Sequence, residues 1–581
     1  MTITTRGAAA PTSAGADREG FSSDALDEAV ERVAGRVDAW AATTPTERAR
    51  LLGEVIDSTV AAADAWLAAA CRAKGLDPKA VDGGEELFSG IGTFLRMART
   101  FKVSIEDIAR VGRPEFPGPV RESKDGRLVV QVFPADTFDK ILYAKTTGEV
   151  WIEPGITRAE LESSQAPAYK DPEAWKGLSL VLGAGNVASL GPRDVLTKLF
   201  VEGKVVVLKA NPVNDYLVPH WTAAMKPLID AGYLAIVEGG AEAGKHLCGH
   251  ELVDEIHVTG SDKTHDAIVF GVGAEGAERK AAVDPLITKP VTCELGNVSP
   301  VVIVPGDWSD KDIAYQAEHV ATMLANNAGF NCLTPRVIIT WKGWTQRDAF
   351  LAALRGALAG IPTRNAYYPG ADDRRRSFIE AHPDAVEIGD AAGDHLPWTI
   401  IPGVDSSVVD DICFNVEAFC SLMAETSLEA ASPAEYVDAA VAFCNDVVWG
   451  TLSCTVIAHP DQLADPVVGP RIEAAIADLR YGGIGLNLWH ALVFALSTTT
   501  WGAYPGHPIE DIQSGAGVVG NAYMLEHTQK SVVRGPFRSN PKPPWFATAK
   551  NSRATMSKLL AFEAKPSWTK LPGLLAAAIR N

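Results

Sequence analysis

The sequence predicts an α/β protein with two sheet-bearing regions, a helical segment ahead of them and a small antiparallel β element between larger parts. Three observations carry this. Between 178 and 270, strand-like apolar runs (Leu178 to Leu182, Val205 to Leu208, Leu234 to Val237, Glu255 to Val258) alternate with helix-like stretches, as in a parallel sheet covered on both faces. A second alternation follows, with β-rich runs at Val301 to Val304, Val337 to Thr340 and Ser453 to Ala458 and helical patterns at 351–360 and 434–445. The chain has 581 residues, 47% apolar and 22% charged, which suits two or three ordinary domains and excludes a disordered, collagenous or coiled-coil protein.

The elements follow in order. Residues 1–20 are small and polar, without the apolar core of a secretory signal, so 1–23 is expected to be a disordered segment. No stretch runs eighteen apolar residues without a charge, so no membrane span is expected and the cytoplasm is the default location. From Asp24 to Lys74 apolar residues recur at three- and four-residue steps, broken at Thr44-Pro-Thr-Glu47, which has the form of a helix start with an acid in its first turn. Residues 86–112 continue in that style, and the Pro- and Gly-rich Arg113 to Pro119 marks a boundary. Two β-rich runs, Arg127 to Phe133 and Glu149 to Glu153, form the inserted antiparallel element. The last residues, 540–581, open with Pro-Lys-Pro-Pro from Pro541 and read as an appended tail that packs on the body.

Charge and cysteine usage narrow the function. With 53 Lys plus Arg against 72 Asp plus Glu, the net charge of −19 repels nucleic acid, and no basic run offsets it. The eight cysteines include no Cys-x-x-Cys pair and no clustered His partner, so neither a zinc site nor a disulfide framework is expected.

Chemistry is expected at a few places. Gly183-Ala-Gly-Asn-Val-Ala188, between a strand and a helix, fits a dinucleotide-binding turn, but the next strand ends in Lys209 where that fingerprint wants an acid. A glycine turn without a ligand is an equal reading. Val258-Thr-Gly-Ser261 breaks a strand into a helix whose free N–H groups suit a diphosphate, although an ordinary N-cap looks the same. Cys332 follows a polar, Gly-containing turn and not an apolar periodic run, which sets it apart from the other seven cysteines. Glu294 is a carboxylate at an apolar strand end, where an unpaired charge is costly. Glu417 alone reads as a solvated loop acid.

Taken together, these words resemble the aldehyde dehydrogenase superfamily, in order as well as in content, from Pro45 to about Phe537. Val206-Val-Leu-Lys209 looks like a strand ending in a ribose-binding lysine, Thr259-Gly-Ser261 like the diphosphate turn, and Glu294-Leu-Gly-x-x-Ser-Pro300 like the general-base motif. Gly329-x-x-Cys332 looks like the nucleophile motif and Glu417-x-Phe419 like the acid and aromatic on the nicotinamide side. The departures are Gly183-Ala-Gly-Asn186 in place of Pro-Trp-Asn, Asn297 in place of a glycine, and Phe330 after Gly329. They imply a divergent member, with some features of the acyl-CoA and long-chain acyl reductases.

The resemblance implies a Rossmann-type cofactor domain (24–125 and 156–292), an α/β catalytic domain (293–517), a small β oligomerisation element (126–155 and 518–539) forming an intersubunit sheet, and a C-terminal extension (540–581). It implies Cys332 as nucleophile, Glu294 as base and Asn186 as oxyanion donor. Lys209, Gly240, Ser261, Glu417 and Phe419 would hold NAD or NADP, and Phe330 and Trp501 would wall the substrate pocket. The expected reaction is oxidation of an aldehyde through a cysteine thiohemiacetal and thioester, in a homodimer or homotetramer. A CoA-acylating enzyme or acyl-CoA reductase is the alternative, and a nucleotide-binding protein with a dead site is a third.

Overall fold

The computed structural model describes residues 22–581, so the disorder expected of 1–23 lies outside the described residues for all but the last two. Ser23 already opens the helix Ser23–Ala34, capped by the Ser22 hydroxyl. The break read at Thr44 is the start of the long helix Pro45–Ala73. Thr44 and Glu47 each bind the other's backbone there, satisfying two of the end's free N–H groups. The 86–112 stretch becomes the helix Gly83–Glu86, a π-turn Leu87–Gly92 and the helix Thr93–Val111, which ends at left-handed Gly112.

Two sheets organise the body. The first runs in the order Gly515–Ala516, Val291–Glu294, Glu255–Thr259, Leu178–Leu182, Val205–Lys209, Leu234–Val237 and is parallel apart from its first strand. Its strands are nearly continuous apolar runs because helices cover both faces. The four strands read from sequence are all here, within a residue of their expected ends. A boundary at 292/293 does not coincide with this sheet, because Val291–Glu294 spans it and Gly515–Ala516 returns from the far side of the chain to pair with it.

The second sheet has eleven strands: Val120–Glu122, Leu128–Phe133, Thr147–Ile152, Thr528–Arg534, Gly483–Leu486, Ser453–Ile457, Pro300–Ile303, Val337–Trp341, Leu422–Leu428, Trp398–Val404 and Val386–Ile388. The segments expected to bridge between subunits supply its second, third and fourth strands, and these pair within the chain. Thr528–Arg534 pairs antiparallel with Thr147–Ile152 on one side and parallel with Gly483–Leu486 on the other. Both of its edges are taken, which leaves Val120–Glu122 and Val386–Ile388 as the free edges of this sheet.

The tail folds back as the helices Ser552–Ala564 and Leu571–Ala578. Buried Glu563 anchors it, accepting hydrogen bonds from Arg96 at 2.9 Å and from Arg99 at 2.7 Å. Trp545 stacks on Phe88 of the π-turn with ring centres 6.0 Å apart. Among the described residues no helix is long and apolar enough to cross a membrane.

Candidate active site

The carboxyl ends of the parallel strands of the first sheet open into a cavity of about 780 Å³ that reaches from Ser261 and Lys209 to Cys332. Such strand ends are where open α/β sheets bind ligands. Of the residues singled out in the sequence, Asn186, Lys209, Gly240, Ser261, Glu294, Cys332, Glu417 and Phe419 all line this one cavity.

Cys332 is placed by a strained turn. After the helix Asp310–Ala325, the backbone is left-handed at Asn327 (φ 53°), Ala328 (φ 55°) and Gly329 (φ 82°). Glycine is required at the third position, since a Cβ on Gly329 would stand 2.4 Å from the Cys420 carbonyl oxygen. Two clamps fix the turn. The buried Arg336 guanidinium donates to the carbonyls of Gly329 and Cys420, each at 2.6 Å, tying the Cys332 turn to the loop that carries Glu417 and Phe419. His490 Nε2 lies 2.7 Å from the Leu333 carbonyl and its Nδ1 2.9 Å from the Thr455 hydroxyl. Burial pushes this imidazole down to about 4, so it is neutral, with one N–H for Leu333 and one lone pair for Thr455. His490 is thus a hydrogen-bonded structural residue.

Seven of the eight cysteines are buried and Cys332 alone is partly open. Cys293, next to Glu294 in the chain, is 1% exposed, and burial pushes its thiol up to about 12. The Cys332 thiol is raised well above the usual range, first by burial and then by the charge of Glu294, with which it is hydrogen-bonded. Glu294 ends its strand 4% exposed. Burial lifts it to about 7, against the lowering effect of hydrogen bonds from Cys332 and from the Trp501 indole at 3.1 Å. Near neutral pH the thiol therefore keeps its proton while Glu294 titrates.

Asn186 Nδ2 donates to the Phe330 carbonyl at 2.9 Å, which brings the amide over the nucleophile turn. Glycine at 185 is what lets the chain pass here, because a Cβ would meet Asn211 and Val213, each at 2.7 Å. On the other wall, the Arg374 guanidinium donates to the carbonyls of Ala418 (3.2 Å) and Phe419 (3.0 Å).

Two expected residues fall elsewhere. Phe330 and Trp501 do not line the cavity at Cys332; Tyr368, Arg374 and Phe419 do. Phe330 is 1% exposed in a cluster with Tyr367, Tyr368 and Phe419, turned inward by the left-handed turn before it, and Trp501 is occupied by Glu294. Sequence reasoning missed Arg336, Arg374 and the partnership of Trp501 with Glu294. A charge immediately before the apolar strand Val337–Trp341 was the one available signal for Arg336.

The residues of the cavity's far half fit a dinucleotide. Burial lowers the Lys209 ammonium to about 8. The N-termini of the helices Ala241–Gly249 and Asp262–Val269 both face the cavity, the second capped by Ser261. A buried cation and two sets of helix N–H groups suit an anionic phosphate.

The comparisons with known proteins agree with this arrangement. The signature of the Aldehyde dehydrogenase family matches residues 190–372. A coniferyl aldehyde dehydrogenase of a Pseudomonas species is 27% identical over 296 residues, 47% of this chain and 56% of that protein, so the chain spans little more than half of that relative's length. A protein of Mycobacterium bovis named as a probable aldehyde dehydrogenase is 24% identical over 75% of this chain and 87% of its own. Among solved structures, a Mycobacterium tuberculosis aldehyde dehydrogenase complexed with NAD+ superimposes with a TM-score of 0.59 over 88% of this chain and 90% of that one. At 19% identity that likeness is one of fold. The family signature over residues 190–372, the relatives and the shared fold together support the aldehyde dehydrogenase superfamily.

Proposed function

We propose that the protein oxidises an aldehyde to a carboxylic acid with a nicotinamide dinucleotide, through covalent intermediates on Cys332. The observation that carries this is the contact between the Cys332 thiol and the Glu294 carboxylate at the inner end of a cavity whose other end is Lys209 and Ser261.

On this reading the thiol passes its proton to Glu294 and the sulfur attacks the carbonyl carbon, giving a thiohemiacetal oxyanion. Asn186 uses one N–H on Phe330, and its second N–H with the Cys332 backbone N–H meets the oxyanion. When bound, a nicotinamide dinucleotide supplies the hydride acceptor. Lys209, Gly240 and Ser261 would hold its adenosine and diphosphate end, and Glu417 and Phe419 its nicotinamide end. Cys332 is left as a thioester. Glu294, at about 7, loses the thiol's proton to solvent, then takes a proton from the water that attacks the acyl carbon, and returns it to the sulfur as the acid leaves.

The test is a panel of aldehydes with NAD and with NADP, each with and without CoA, following reduced cofactor and product. The expected result is free acid and no need for CoA, with Cys332→Ala abolishing turnover while cofactor binding survives. Turnover only when CoA is added would move the protein to the acylating class. The proposal extends to a homodimer or homotetramer, to be checked by light scattering.

A further inference from the structure

Behind the nucleophile turn lies a buried ion pair that none of the steps above uses. Lys74, just after the helix Pro45–Ala73, and Glu86, at the end of Gly83–Glu86, are 4% and 2% exposed, with Nζ 2.5 Å from Oε1. The ammonium also donates to Asn327 Oδ1 at 2.9 Å and to the Asn186 carbonyl at 3.3 Å. The Tyr367 hydroxyl stands 2.8 Å from that same carbonyl and 2.9 Å from Asn327 Oδ1. Asn327 Nδ2 in turn lies 3.0 Å from the Asn186 carbonyl and 3.0 Å from that of Phe330. None of Lys74, Glu86, Asn327 or Tyr367 lines the cavity.

Two physical arguments give the pair a task. Successive left-handed residues, one of them alanine, persist only where the surroundings over-determine them, and here Asn327 is held through both its side chain and its backbone N–H, the latter on Glu85 at 2.9 Å. A buried ion pair is a poor source of stability, because desolvation offsets the attraction; its better attested use is to fix one geometry. Everything this pair binds is either the backbone of Asn186 or the turn that delivers Cys332.

We infer that Lys74, held by Glu86, is a positioning residue: with Tyr367 it sets the spacing between Asn186 and the Cys332 turn that an oxyanion on the substrate carbon requires. This rests on the reaction proposed above. The experiment compares two reactions of the same sulfur. Attack on an aldehyde makes an oxyanion; displacement of iodide from iodoacetamide does not.

In Lys74→Met and in the milder Tyr367→Phe, the rate of the first-turnover burst of reduced cofactor is expected to fall by about tenfold to a hundredfold. Alkylation of Cys332 by iodoacetamide and the affinity for reduced cofactor are expected to stay within about twofold, since neither calls on the oxyanion donors. Lys74→Arg is expected to restore part of the burst rate. If Lys74→Met does not fold, Tyr367→Phe carries the test alone. An unchanged burst, or burst and alkylation falling in parallel, would overturn the inference. A wild-type protein with no burst would overturn the functional reading beneath it.

Discussion

The Trp501 indole N–H meets Oε1 of Glu294 at 3.1 Å, and the same carboxylate reaches the Cys332 thiol, so one buried acid is shared between an aromatic donor and the nucleophile. A hydrogen bond to a carboxylate favours its charged form, and a charge-assisted bond contributes on the order of 1.5–3 kcal/mol. Trp501 thus holds Glu294 near neutrality when burial alone would push it higher.

Trp501→Phe is therefore expected to raise Glu294 above its present value of about 7. The base acts when ionised, so the acid limb of the turnover profile should move to higher pH, by about one unit. Steady-state rates from pH 5 to 10 check this, and an unmoved limb would deny Glu294 the role of base.

Glu294→Gln separates the two halves of the proposed cycle. A burst of reduced cofactor close to one equivalent per active site is expected, because the thiol, no longer raised by the Glu294 charge, loses its proton to solvent and acylation survives, followed by turnover slowed by about 10²- to 10⁴-fold because hydrolysis does not. The same substitution removes the charge and the hydrogen bond that raise the thiol, so alkylation of Cys332 should begin at lower pH than in the wild type.

Gly329→Ala and Gly112→Ala form a matched pair. Their φ angles are 82° and 83°, yet a Cβ at 329 strikes the Cys420 carbonyl at 2.4 Å while one at 112 meets nothing within 4 Å. The loss at 112 should be the left-handed cost alone, about 1 kcal/mol, and that at 329 about 2–4 kcal/mol, with the burst abolished. Denaturant titration of both variants measures the difference.

Lys209 governs the cofactor prediction. Three residues after Lys209, where the resemblance implies a ribose-binding acid, stands Pro212, so a 2′-phosphate should be tolerated, although Asp215 stands near Lys209. With the ammonium at about 8, its charge is present below that pH and lost above it, so binding of NADP should weaken as pH rises through 8. Lys209→Ala should weaken binding and flatten that dependence in calorimetry. Binding of NAD with none of NADP would count against it.

The strands that were legible, such as Leu178–Leu182 and Val337–Trp341, are short apolar runs between turn residues, a local signal, whereas Trp398–Val404 and Leu422–Leu428 were not read. The cavity residues were legible because they sit where strands end. Trp501 and Phe330 were misplaced for one reason: an aromatic near a site reads the same whether it faces ligand or a neighbouring side chain. Lys74 shows the deeper limit. A lysine closing a helix is ordinarily solvated, and only the approach of Glu86, Asn186 and Asn327 makes this one buried. The bridging strands were recognised as strands, but the identity of their neighbour is a long-range property that no local pattern carries.

That neighbour bears on how the molecule is made. Thr528–Arg534 is the wedge between Thr147–Ile152 and Gly483–Leu486, so the ribosome releases the piece that joins the early hairpin to the catalytic sheet only after nearly all the rest. Until then two strands wait with unpaired backbone, open to strangers, and nascent chains stalled before residue 528 are the ones that should call most heavily on chaperones.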